Sequence, residues 1–214
     1  IEFFLPGQND PRTQLIFEPY LVGRQEAKSQ LLDWFEQAEN GSARHVVIRG
    51  EAGVGKTSLI TQGLKPEAEK RGWFAVGKYE PYFKQPYHAL IQAINDLLTQ
   101  IFEDDATKHY WTDKLAEACG PNIQALEPVF PILRTCAEKS RYSFFDKSTD
   151  AYRVRLGMKQ LIECIAQSNR PITICLDDLH FASKEDIHMI KFPGSKRSVS
   201  FSWKNSNFSK SSKF

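Results

Sequence analysis

The 214-residue chain is 41% hydrophobic and 25% charged, enough for one α/β domain with a sizeable core and too short for two complete ones. That composition excludes a disordered chain, and no apolar run approaches the length of about 20 residues that a bilayer span needs. The net charge of +2 is unevenly spread: Lys191 to Phe214 holds six of the 28 basic residues and no acidic one, which leaves 22 basic against 26 acidic, a balance of −4. A duplex-binding face needs its basic excess inside the folded part, so nucleic acid is not an expected partner.

Residues 1–20 contain Pro6, Gly7, Pro11 and Pro19 without periodicity and read as a linker. They lack the basic and apolar regions of a signal peptide, and a chain starting at isoleucine is expected to be a piece of a longer one. From Arg24 to Glu39, apolar residues recur at three- and four-residue spacing, which predicts an amphipathic helix ended by Asn40-Gly41. The β-branched run within His45 to Ile48 predicts a buried strand, Thr57 to Lys70 a helix, and Trp73 to Val76 a second strand. Helices are expected over Tyr87 to Phe102, Trp111 to Cys119, Ile123 to Cys136 and Asp150 to Ala166, together forming a helical insertion. Ile172 to Leu176 is a continuous apolar run, as in a parallel strand covered on both faces. Ser183, with Asp186 three residues on, marks a further helix start. Beyond Phe192-Pro193, residues 192–214 are rich in serine and lysine and predict a disordered tail. Cys119, Cys136, Cys164 and Cys175 form neither a CxxC pair nor a metal-ligand pattern, so reduced thiols and a cytoplasmic location are expected.

The segment Gly50-Glu51-Ala52-Gly53-Val54-Gly55-Lys56-Thr57 fits G-x-x-x-x-G-K-[ST] between a predicted strand and a predicted helix. Its glycines let successive backbone N–H groups turn toward one phosphate, and the following helix adds its positive end. Lys56 is expected to reach the β- and γ-phosphates and the Thr57 hydroxyl to ligate Mg²⁺, with Ser58 at the edge of the same site. The second apolar run delivers Asp177 to a strand's carboxyl end, where it is expected to hold Mg²⁺ directly or through water. Asp178 is placed to orient and deprotonate the attacking water. His180 beside this strand end reads as structural. Tyr79, Tyr82, Phe83 and Tyr87, with Lys78 and Lys84, read as packing between insertion and sheet in preference to a nucleic-acid surface.

Leu21 to Leu31, Gly50 to Ile60, Gly72 to Ile101 and Ile172 to Ser183 resemble AAA-type, origin-recognition-complex-like P-loop ATPase modules. The closer likeness is to those in large hybrid signalling kinases and regulatory ATPases of the signal-transduction class with numerous domains. The resemblance covers Pro19 to Lys191 and implies, over 21–191, a three-layer α/β P-loop NTPase core with a parallel sheet and a helical insertion, its C-terminal strands missing. It implies ATP and Mg²⁺ as cofactors, with Val22, Gly23 and Arg24 near the adenine. It also supports Asp177 as the Mg²⁺ residue and Asp178 as the catalytic acidic residue. Phe181, Ala182 and Ser183 stand where relatives commonly carry Trp-Ala-Asp. The expected function is an ATP-binding and ATP-hydrolysing regulatory module whose partners are neighbouring kinase or sensor domains. The alternatives are a non-hydrolysing nucleotide-binding scaffold and a DNA-associated initiator-type ATPase, which the acidic core disfavours.

Overall fold

The computed structural model describes residues 23–83, 85–140, 150–168 and 170–190, together with the backbone of 198–205. Helix α1 (Gln25–Glu39) leads into strand β1 (Arg44–Gly50). After the glycine loop come α2 (Lys56–Ser58), a π-helical stretch (Leu59–Leu64) and α3 (Lys65–Arg71), followed by β2 (Trp73–Lys78). The insertion consists of α4 (His88–Phe102), α5 (Asp105–Cys119), α6 (Ile123–Leu126), α7 (Arg134–Lys139) and α8 (Ala151–Ala166). Then β3 (Ile172–Asp177), α9 (Lys184–Ile190) and β4 (Ser198–Asn205) complete the described elements.

The strands lie in the order β1-β4-β3-β2 and every pairing is parallel, so all the carboxyl ends share one edge of the sheet. Alternation along the strands divides the core in two. Trp73, Ala75, Ile172, Ile174 and Leu176 face the insertion, where Leu97, Leu115, Leu126 and Leu161 are fully buried. Phe74 and Cys175 point the other way, onto Leu31 and Phe35 of α1 and onto Ile60 and Leu64. The result is a helix-dominated α/β fold around a small parallel sheet. Gly77 sets the approach of α4 to β2, because a Cβ there would lie 1.8 Å from the Ala89 carbonyl oxygen.

Five sequence expectations change. Strand β1, expected to be buried, buries only Val46, and Val47 is 51% exposed. The helix after the glycine loop is widened into a π turn ahead of Pro66, which has no N–H to donate and crowds the preceding turn. The helix expected over Ile123 to Cys136 is interrupted, because Pro128 and Pro131 cannot continue the ladder. A 3₁₀ turn at Pro131–Leu133 fills the gap. Helix α5 starts earlier than expected, at Asp105, where the Asp104 carboxylate accepts the Ala106 N–H at 3.0 Å. Within the expected disordered tail, Ser198–Asn205 forms a strand between β1 and β3. Its Val199, Phe201 and Trp203 alternate with polar residues at the strand period, a pattern hidden inside the Ser/Lys composition.

Candidate functional site

The glycine loop leaves β1 at Gly50 on the carboxyl edge of the sheet. Gly53 and Gly55 have φ of +75° and +83°, in the left-handed region that a side chain disfavours, so the loop can curl with its N–H groups inward. Gly50 is constrained by crowding, since a Cβ there would come within 2.9 Å of Val54 Cγ1. Glu51, Ala52, Gly53, Val54, Thr57 and Ser58 are exposed, whereas Lys56 is buried. The Lys56 ammonium donates to the Gly50 and Glu51 carbonyl oxygens at 3.1 and 2.7 Å, which holds the cation under the loop it is expected to serve.

Arg24, the residue before α1, donates through its guanidinium to the Val54 carbonyl and lies against Gly55. It therefore joins the crown of the loop. Gly23, beside it, is exposed with φ +80°. Val22 lies outside the described residues.

The acidic pair closes β3 on the same edge. Asp177 Oδ1 accepts the Asp178 N–H at 2.7 Å. Asp178 has φ +55°, one of two non-glycine residues in the left-handed region among those described. Burial and, after it, the neighbouring Asp178 charge raise the Asp177 carboxyl above its ordinary range. The Asp178 N–H, Lys78 and Lys56 pull the other way. The glycine loop and the acidic pair thus share the carboxyl edge of the sheet.

Lys78, read from the sequence as part of the packing between insertion and sheet, is a further member of the site. Register pairs it with Asp177, and its ammonium lies 3.8 Å from Asp178 Oδ2. No spacing rule could have found it, since Lys78 and Asp178 are joined only by strand pairing. The buried His180 ring lies 3.8 Å from Asp178 Oδ1, against the same acid. The aromatic group divides: Tyr79 is buried and Tyr87 packs against the core, whereas Tyr82 is 93% exposed and Phe83, stacked on His88, is 51% exposed. Packing therefore accounts for only half of that group. Lys84 lies outside the described residues.

The turn after the acids is braced from a distance. Ser183 N–H donates to Asp186 Oδ2 at 2.8 Å and Asp186 N–H to Ser183 Oγ at 3.1 Å, a reciprocal capping box that starts α9. The buried Asp186 also accepts the Tyr87 N–H at 2.6 Å, which ties this turn to the start of α4.

Among the described residues no three His, Cys, Asp or Glu side chains converge as a metal cage. The Thr57 hydroxyl and the Asp177 carboxylate offer oxygen donors, the type that a small hard cation such as Mg²⁺ takes alongside phosphate and water.

A glycine loop and an acidic pair at the carboxyl edge of a parallel, helix-covered sheet define the P-loop class of α/β architecture. Residues 20–193 match the AAA ATPase domain family, and the chain belongs to it. It is similar to hybrid signal transduction histidine kinase G of Dictyostelium discoideum, 27% identical over 174 residues, 80% of this chain and 5% of that protein. It is also similar to the peroxide stress-activated histidine kinase mak2 of Schizosaccharomyces pombe, 26% identical over 165 residues, 68% of this chain and 7% of that protein. The chain thus spans a small fraction of the curated relatives it matches. No helix among the described residues is long and apolar enough to cross a membrane.

Proposed function

We propose that this chain binds ATP with Mg²⁺ in the loop Gly50 to Thr57 and hydrolyses it, as a regulatory module of a signal-transduction protein. The observation that carries the reading is the placement of the glycine loop after β1 and of the Asp177-Asp178 pair at the end of β3, on one carboxyl edge of a parallel sheet. On binding, Lys56 exchanges its two carbonyl partners for phosphate oxygens, and the loop N–H groups neutralise the remaining charge. Thr57 and Asp177 would hold Mg²⁺, which supplies charge neutralisation on the β- and γ-phosphates. Asp178 accepts a proton from a water whose oxygen bonds to the γ-phosphorus, while the bond from that phosphorus to the β–γ bridging oxygen breaks, releasing ADP and inorganic phosphate. The Lys78 ammonium and the His180 ring each lie 3.8 Å from one Asp178 carboxylate oxygen, where a positive charge on either favours the ionised base. Adenine is the base proposed, with Arg24 and Gly23 beside it.

The relatives are histidine kinases by name, which supports neighbouring kinase or sensor domains as the elements that read the nucleotide state. Calorimetric titration with ATP and GTP, with and without Mg²⁺, tests the site. Mg²⁺-dependent ATP binding is expected, weakened about 10- to 100-fold in Lys56→Ala, the equivalent of a charged hydrogen bond. Unaltered affinity in that variant would reject the loop as the site.

A further inference from the structure

The amino ends of β2 and β3 border a second cavity, at the edge of the sheet opposite the glycine loop. It encloses about 380 Å³, within the lower part of the range for small-molecule sites. Trp73, the first residue of β2, meets Trp111 of α5 edge-on with ring centroids 5.6 Å apart, and Tyr110 meets Trp111 edge-on at 5.4 Å. Two cations stand on these rings. The Lys114 ammonium lies 5.1 Å from the Trp111 centroid and 5.2 Å from that of Tyr110, and the Arg170 guanidinium lies 5.0 Å from that of Trp73.

Neither cation is neutralised. Lys114 donates to the Tyr110 hydroxyl at 3.0 Å and Arg170 to the Gly72 carbonyl at 3.4 Å, and among the described residues neither pairs with a carboxylate. The single carboxylate in the lining, Asp104, is committed to starting α5 through the Ala106 N–H and the Thr107 hydroxyl. The cavity therefore carries an excess positive charge above aromatic walls.

We propose that this cavity binds a small aromatic anion, its ring against the exposed Tyr110 and the rims of the buried Trp73 and Trp111, and its acidic group between Lys114 and Arg170. A carboxylate and a phosphate monoester share this chemistry, and such a ligand combines apolar burial with two charge-assisted contacts. The site is independent of the glycine loop.

Calorimetric titration of the whole chain with 2-naphthoate, 2-naphthyl phosphate and the neutral 2-naphthylmethanol tests it. Saturable one-to-one binding of an anionic probe is expected, with the neutral probe weaker by about tenfold or more. Stronger binding of one anion identifies the source as carboxylate or phosphate. Lys114→Glu with Arg170→Glu should abolish binding, Lys114→Arg with Arg170→Lys should retain it, and so should Lys56→Ala, which separates this site from the nucleotide site. Lys114→Gln with Arg170→Gln, checked for a native melting transition, supplies the answer if charge reversal prevents folding. Equal binding of the neutral probe, undiminished binding in the folded glutamine variant, or no saturable binding to the wild-type chain would overturn the proposal.

Discussion

The glycine-loop end of the molecule and the helical insertion are built on opposite physical principles. In the loop, most residues from Glu51 to Ser58 are exposed and their shape is held by glycine dihedrals and a few polar contacts. In the insertion, long side chains such as Leu97, Leu115, Ile123 and Phe130 are wholly buried. Helices α5 and α8 there start on the Asp104 and Asp150 carboxylates. One region leaves most of its residues exposed at the sheet edge, while the other supplies the burial that offsets chain entropy. The difference teaches that chemistry and stability should separate under mutation.

The largest separation is expected at Asp178. Asparagine has nearly the same shape and tolerates the left-handed backbone of this position, so Asp178→Asn should leave folding and ATP affinity close to wild type. Steady-state phosphate release should fall about 10²- to 10⁴-fold, the usual worth of a positioned general base. Turnover equal to wild type would remove Asp178 from the chemistry and favour a non-hydrolysing scaffold.

The converse change lies in the insertion. Phe130 is fully buried between α6 and α7, and Phe130→Ala should cost about 3–5 kcal/mol by leaving a cavity. Denaturant melts would measure that loss, and calorimetry well below the transition should find nucleotide affinity unchanged. A parallel loss of affinity in folded protein would break the comparison and make the insertion part of the site. The route for such coupling is visible in Asp186, whose carboxylate bridges the turn after Asp178 to Tyr87 at the start of α4.

Much of this contrast is legible in the sequence because its signals are local. The glycine loop is a contiguous string, and the runs Val46 to Ile48 and Ile172 to Leu176 carry their own strand character. The capping relation of Ser183 to Asp186 is a three-residue pattern that folds as written. What escaped depends on distant partners or on competing composition. Lys78 reaches Asp178 only through the register of β2 with β3, and Tyr87 reaches Asp186 only through the packing of α4. The strand at Ser198–Asn205 is set by the gap between β1 and β3, while its serine content suggests a chain with little to bury.

The smallest expected effect is the most specific to the site. Asp177 has a carboxyl pKa raised chiefly by burial and then by Asp178, despite the opposing pull of Lys78 and Lys56. A carboxyl raised on folding binds its proton more tightly in the native state, so its favourable contribution is present below the ordinary aspartate value of about 3.9 and lost as pH rises through the folded value. Nucleotide-free wild-type protein should therefore lose stability across that window, and Asp177→Asn, which cannot ionise, should lack this loss and melt higher at neutral pH. Mg²⁺ reverses the preference, because only the ionised carboxylate ligates it. With Mg²⁺ and ATP the wild type should gain more in melting temperature than the variant, and the gain should fade as pH drops through the raised pKa. Melting curves of both proteins from pH 4 to pH 8, with and without Mg²⁺ and ATP, carry the test. Superimposable pH profiles would mean that Asp177 senses neither the buried edge nor the cation, and the loop would then have to hold its ligand without the acid that ends β3.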